Sequence, residues 1–177
     1  MGRPGSSPSS TTSYWTELDE ELARTGAASV DTILLGRGTY EVFASYWPGA
    51  QFDPEESKLV QEQARYLNET PKLVFSRSLS KVDWKGARIV KGDLTRVIRR
   101  LERLPGKNMI VPGGVRLPRA LIERDLIDEY LLTVVPMIMG SGTDRLFGKH
   151  SVPKTLRLVR SRPFSNGAMF QHYEPIR

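Results

Sequence analysis

Three short segments of this 177-residue chain combine glycine, hydroxyl and guanidinium groups in the way that anion binding requires. The first is Gly36-Arg37-Gly38-Thr39, which follows the apolar run Val30–Leu35 and precedes Tyr40-Glu41. A strand meeting a helix start through two glycines lets backbone amides approach a phosphate at the positive end of the helix. Arg37 adds a fixed charge and Thr39 a hydroxyl donor. The second is Ser76-Arg77-Ser78, just past Leu73-Val74-Phe75. Serine, arginine and serine make a compact donor set for a phosphate monoester, the group that separates NADPH from NADH. The third is Gly113-Gly114-Val115, after Ile110-Val111-Pro112. Paired glycines before a helix suit a pyrophosphate, because no Cβ blocks the backbone's approach. Each segment alone reads equally well as an ordinary turn, and neither the six-residue Rossmann fingerprint nor a P-loop is present. Their recurrence at three strand ends of one expected sheet, where open α/β sheets collect ligands, is what points to a dinucleotide.

The elements that must position these segments are legible from periodicity and punctuation. Ser13 caps an expected helix to about Gly26, with Trp15, Leu18 and Leu22 on one face. Val30–Leu35, Lys72–Phe75, Arg88–Val90 and Met109–Val111 read as short strands, and Glu129–Met137 as a long one. Thr39–Tyr46 reads as a helix stopped by Trp47-Pro48-Gly49, and Pro54 as the first-turn proline of a helix reaching about Leu67. Asp93 caps a helix with Leu94, Val97, Ile98 and Leu101 on its apolar stripe, and Leu117–Arg124 forms another. Thr155–Ser161 and Ala168–Glu174 flank Asn166-Gly167, a strong hairpin turn. The pattern implies an α/β fold: a mostly parallel central sheet, helices on both faces, and a C-terminal antiparallel hairpin. Residues 1–13 read as a disordered tail and 14–177 as one domain.

Composition excludes several chemistries. The chain has no cysteine, so thiolate metal sites and cysteine nucleophiles are absent. Its two histidines, His150 and His172, lie in different segments, and no metal is expected. No apolar run is long enough for a membrane span or a signal peptide core, so a cytoplasmic location is the expectation. The net charge of +6 suits nucleic acid or phosphorylated small molecules. Arg96, Arg99, Arg100 and Arg103 share one helix face, but Glu102 interrupts them and no aromatic residue lies in that helix. A solvated face is the better account, and no nucleic-acid partner is expected.

Leu34-Leu-Gly-Arg-Gly-Thr-Tyr-Glu41, Tyr46-Trp-Pro48, Phe75-Ser-Arg-Ser-Leu79 and Val111-Pro-Gly-Gly114 occur in one order with Leu126-Ile-Asp-Glu-Tyr130, Pro136-Met-Ile-Met-Gly-Ser-Gly142 and Leu146-Phe147. Over roughly residues 15 to 175 the chain resembles the C-terminal reductase domain of bacterial riboflavin-biosynthesis deaminase-reductases, itself similar to dihydrofolate reductase. The resemblance implies a dihydrofolate-reductase-like three-layer sandwich and an NADPH-dependent reductase of a small heterocyclic or carbonyl substrate. A ribosylaminopyrimidine or a pterin is such a substrate. It implies that Gly36, Arg37, Gly38 and Thr39 face the phosphates, Ser76 and Arg77 the adenosine 2′-phosphate, and Gly113, Gly114, Val115 and Arg116 the pyrophosphate. Ser78 completes the middle donor set. It also implies a homodimer.

The resemblance carries one departure. Family members open on an apolar strand ending in a Ser-Leu-Asp-Gly-like turn beside the substrate, whereas this chain opens Met1-Gly-Arg-Pro-Gly-Ser-Ser. That favours a second reading, a dinucleotide-binding protein without the reaction. Reduction of C=N or C=O also needs a proton source. Dihydrofolate reductases carry a carboxylate on the helix before the first phosphate loop, and Glu17, Asp19, Glu20 and Glu21 occupy that helix here. Glu20 or Glu21 would serve if it faced the cleft; otherwise these acids are a solvated first turn favoured by the helix dipole. Tyr46 and Trp47 either wall the substrate pocket or join the core. The catalytic residue stays unassigned.

Overall fold

The structure, a computed structural model, describes residues 17–18, 21, 29–138, 145–148 and 153–177. The chain forms two compact units, one from Ser29–Leu126 and Thr143–Ser151, the other from Met1–Ala28, Ile127–Gly142 and Val152–Arg177.

The larger unit is built on four parallel strands: β1 (Val30–Gly36), β2 (Lys72–Phe75), β3 (Ala87–Val90) and β4 (Asn108–Ile110), in the order β3-β2-β1-β4. Ile33, Leu34 and Leu35 of β1 and Leu73 and Val74 of β2 are buried. A parallel strand covered on both faces needs such a continuous apolar run, and alternation would put polar atoms in the core. The register pairs Gly36 with Phe75 and Phe75 with Val90, so three strands end in one row. Ile33 pairs with Ile110, the last residue of β4, and the chain then leaves the sheet through Val111-Pro112-Gly113.

Helix α1 (Arg37–Ala50) leaves β1 directly, and α2 (Lys58–Glu69) precedes β2. The stop expected at Trp47-Pro48-Gly49 does not occur; Pro48 lies inside α1. Proline removes one helix hydrogen bond, but only two residues follow it in the helix, and the Trp47 carbonyl accepts from Asn68 Nδ2 at 3.3 Å. Pro54 likewise falls before α2 rather than in its first turn. Ser57 is the cap, its hydroxyl accepting from Val60 N–H at 3.3 Å. Helix α3 (Leu94–Leu101) begins as expected at Asp93, whose carboxylate accepts from Arg96 N–H at 2.8 Å. Helix α4 (Arg116–Glu123) completes the unit.

β2 opens with Lys72, fully buried. Its ammonium donates to the carbonyls of Thr70 at 2.7 Å, Lys85 at 3.0 Å and Asn68 at 3.1 Å, and lies 4.4 Å from the centre of the Trp84 ring. Burial, and then the charge of Lys85, pull this lysine down from 10.5 to about 8.

The smaller unit holds the antiparallel strands β5 (Tyr130–Val134), β6 (Leu156–Pro163) and β7 (Met169–Pro175), ordered β5-β7-β6. The hairpin turns where the sequence indicates: Gly167 has φ +85°, and Asn166 Oδ1 accepts from Ala168 N–H at 3.0 Å. The long strand expected over Glu129–Met137 stops at Val134, two residues before Pro136, which has no N–H for a ladder. Phe164, Ala168 and Phe170 form a small core against which Leu18 and Leu131 pack. Glu17, Leu18 and Glu21 have helical backbone, while the rest of the helix expected from Ser13 to Gly26 lies outside the described residues.

Candidate dinucleotide site at the strand ends

The expected loops meet at this end of the parallel sheet through side-chain and backbone contacts. Arg37 is the first residue of α1, and its guanidinium binds in two directions: Nε to Glu41 Oε1 at 2.8 Å, and Nη1 to Ser78 Oγ at 3.1 Å. The first and second loops are therefore joined by a side chain. The first and third touch as well, because a Cβ on Gly114 would lie 2.5 Å from Thr39 Oγ1. Gly113 and Gly114 have φ +64° and +75°, a conformation glycine adopts without strain.

Both helices that start here lack a side-chain cap. Gly36 is the N-cap of α1 and Val115 that of α4, and neither first turn carries an acidic residue. By contrast Ser57 and Asp93 cap α2 and α3. The first amides of α1 and α4 are thus left for other acceptors, and with the helix dipoles they favour an anion. Arg77, Ser78 and Arg116 are exposed beside them. Ser76 differs from its expected part: it is buried, and its hydroxyl oxygen accepts from the amides of Ser78 at 3.3 Å and Leu79 at 3.0 Å. It shapes the loop, and its remaining capacity toward a ligand is its hydroxyl proton.

The structure does not bring Tyr46 and Trp47 to these loops. They sit nine and ten residues beyond Arg37 on α1, roughly 14 Å along the axis at the helical rise. Trp47 packs on the core formed by Ile33, Leu35, Tyr40, Leu67, Val74 and Trp84. The Tyr46 hydroxyl donates to Glu56 Oε1 at 2.6 Å, and burial followed by that bond to Glu56 raises the phenol to about 12. Of the four candidate acids, Asp19 and Glu20 lie outside the described residues. Glu17 accepts from the Ser165 hydroxyl, and from the Ser165 amide at 2.8 Å, which together hold its carboxyl below the usual range. Glu21 is fully buried between Arg162 at 2.6 Å and Arg160 at 3.2 Å. Sequence reasoning missed Glu41, although its i, i+4 spacing from Arg37 was a visible signal. It also missed the end of β3, where Lys91 and Gly92 follow Val90.

Among the described residues no helix is long and apolar enough to cross a membrane. The chain is 29% identical over 156 residues to the Uncharacterized protein YyaP of Bacillus subtilis (strain 168), covering 88% of this chain and 80% of the relative. It is 28% identical over 145 residues to the Uncharacterized protein YwjB of the same organism, covering 82% and 74%. A crystal structure of a putative riboflavin biosynthesis protein from Shewanella sp. PV-4 superposes with a TM-score of 0.64 at 22% identity, covering 99% of this chain and 84% of that one. That of a pyrimidine reductase-like protein from Corynebacterium diphtheriae gives 0.57 at 17%, covering 84% and 77%. The model of the RibD C-terminal domain matches residues 4–170, and this match supports a reductase-like function. With its α/β, dihydrofolate-reductase-like architecture, the chain belongs to the RibD C-terminal domain family.

Proposed function

We propose that this protein is an NADPH-dependent reductase of a small heterocyclic or carbonyl substrate. The observation that carries the reading is the convergence of two uncapped helix starts with the Arg37–Ser78 and Thr39–Gly114 contacts. Amides at the start of α1, together with Arg37 and Thr39, would hold one phosphate, and Gly113 to Arg116 the other. Arg77 and Ser78 would bind the 2′-phosphate on the loop that Ser76 shapes. When bound, NADPH supplies a hydride to the carbon of C=N or C=O, while a proton goes to the nitrogen or oxygen. The chain's part in that reaction is to fix the dinucleotide by its phosphates. A ribosylaminopyrimidine or a pterin fits the substrate class by family analogy, and the homodimer implied by the same analogy is checked by light scattering.

A second reading, dinucleotide binding without reduction, is favoured by the commitment of Glu17 to Ser165 and of Glu21 to two arginines. Titration of tryptophan fluorescence with NADPH and NADH tests the shared claim. NADPH is expected to bind more tightly, and Arg77→Ala to remove that preference. Equal affinity for both nucleotides in the native protein would overturn the assignment of the second loop. Turnover of bound NADPH with candidate pyrimidines and pterins then separates the two readings.

A further inference from the structure

Three of the four parallel strand ends enter the proposed site through their loops; the fourth, at β3, carries a cation with no assigned part. We propose that Lys91 is a specificity-determining residue, a second cation beside Arg77 around the 2′-phosphate of a dinucleotide. The inference rests on the NADPH reading and deepens it.

β2 lies between β1 and β3, and Gly36, Phe75 and Val90 form one row. Beyond that row β1 continues as Arg37, β2 as Ser76-Arg77-Ser78, and β3 as Lys91. From the β1 side Arg37 already reaches the middle loop, at 3.1 Å from Ser78 Oγ. From the β3 side Lys91 starts beside Ser76, about one strand spacing of ~4.8 Å away. It is exposed, and its side chain makes no ion pair or hydrogen bond to a described residue. The chain turns after it at Gly92, with φ +112°, and Asp93 is anchored as the cap of α3. Lys91 is therefore held at a turn between a paired strand and a capped helix.

The middle loop is thus flanked on both sides by cations and carries Arg77 itself. A phosphate monoester, with a charge of roughly −1.5 to −2 near neutral pH, matches such a cluster better than the ribose hydroxyl of NADH does. Glu41 neutralises part of Arg37 through its 2.8 Å contact, which leaves Arg77 and Lys91 as the cations of the group without an ion-pair partner among the described residues.

The test titrates the full chain with 2′,5′-ADP and with 5′-AMP, probes that differ only in the 2′-phosphate, and with NADPH and NADH. Lys91→Ala is expected to weaken 2′,5′-ADP and NADPH about tenfold and to leave 5′-AMP and NADH unchanged. Lys91→Arg should stay within about threefold of the native protein. Lys58→Ala, which removes an exposed lysine at the start of α2, should change nothing. Equal losses on both probes, or no loss on 2′,5′-ADP, would overturn the role of Lys91 alone. A native protein that does not prefer 2′,5′-ADP over 5′-AMP would overturn the NADPH reading and this inference with it.

Discussion

The hydroxyl oxygen of Thr39 stands 2.5 Å from the point that a β-carbon on Gly114 would occupy. The first turn of α1 therefore rests on the backbone of the third loop, and the contact exists only because residue 114 has no side chain. Gly114→Ala should cost about 2 kcal/mol, from the left-handed φ of +75° and from overlap with Thr39. Thr39→Ala in the same chain removes the overlap and leaves the φ strain. Chemical denaturation of the two single variants and the double variant should show coupling of about 1 kcal/mol. Additive losses would mean that the two loops do not touch.

Arg37 and Arg77 are expected to fail differently. Arg37 stands at the start of α1 and ties it to the second loop, so Arg37→Ala should weaken NADPH and NADH alike, by about tenfold. Arg77→Ala should weaken NADPH by a similar factor and spare NADH. Calorimetric titration of both variants with both nucleotides is the check, and the reverse pattern would exchange the two assignments.

Lys72 gives stability a dependence on alkaline pH. The folded state releases this proton near pH 8, whereas the unfolded chain keeps it to about 10.5. Between those values the unfolded state binds more protons, so stability rises with pH across that window and is flat, from this group, below it. Lys72→Met should abolish the rise. At pH 7 it should also cost about 2 kcal/mol, because the carbonyls of Thr70, Lys85 and Asn68 lose their donor. Urea melts at pH 7, 8, 9 and 10 would show both effects, and a rise that survived in the variant would assign it elsewhere.

Glu21 is expected to matter for stability and not for turnover. Removing a fully buried carboxylate from between Arg160 and Arg162 leaves those charges facing an apolar side chain. Glu21→Ala should cost about 3 kcal/mol. Thermal unfolding should show the loss, while kcat of the folded protein should hold within about threefold. A large fall in kcat at native stability would restore Glu21 as a proton donor.

The parts of the fold that follow from local chemistry were readable in advance. β2 was bounded to the residue by Lys72 and Phe75, α3 by its Asp93 cap, and the hairpin by Asn166-Gly167. The errors fall where a distant residue overrides a local rule. Pro48 sits inside α1 in its last turn, where one missing helix bond ends little, and the Asn68 amide, 21 positions beyond Trp47, holds the carbonyl of Trp47 there. Ser76 turned inward to hold its own loop, a choice that composition does not encode. At the site, the three loops were legible as types of residue. Their junctions through Arg37–Ser78 and Thr39–Gly114 were not, because they depend on the strand register. Of the two readings of Tyr46 and Trp47, substrate wall or core, the sequence could not choose, and the structure packs Trp47 on the core.

The orientation of the Asn68 side chain is forced, and this makes the larger unit sensitive to the exchange of a single atom. Its amide nitrogen donates to Trp47 O at 3.3 Å and Gln51 Oε1 at 2.9 Å, while its oxygen accepts from the Trp84 indole at 2.7 Å. A carbonyl only accepts and an indole N–H only donates, so the two ends of the amide cannot trade places. Deamidation to aspartate keeps the shape and inverts half of this polarity, aiming a carboxylate oxygen at the Trp47 carbonyl. Such chemical ageing would loosen the end of α1, where the helix already lacks the proline's hydrogen bond. It would do so without changing the side chain's volume.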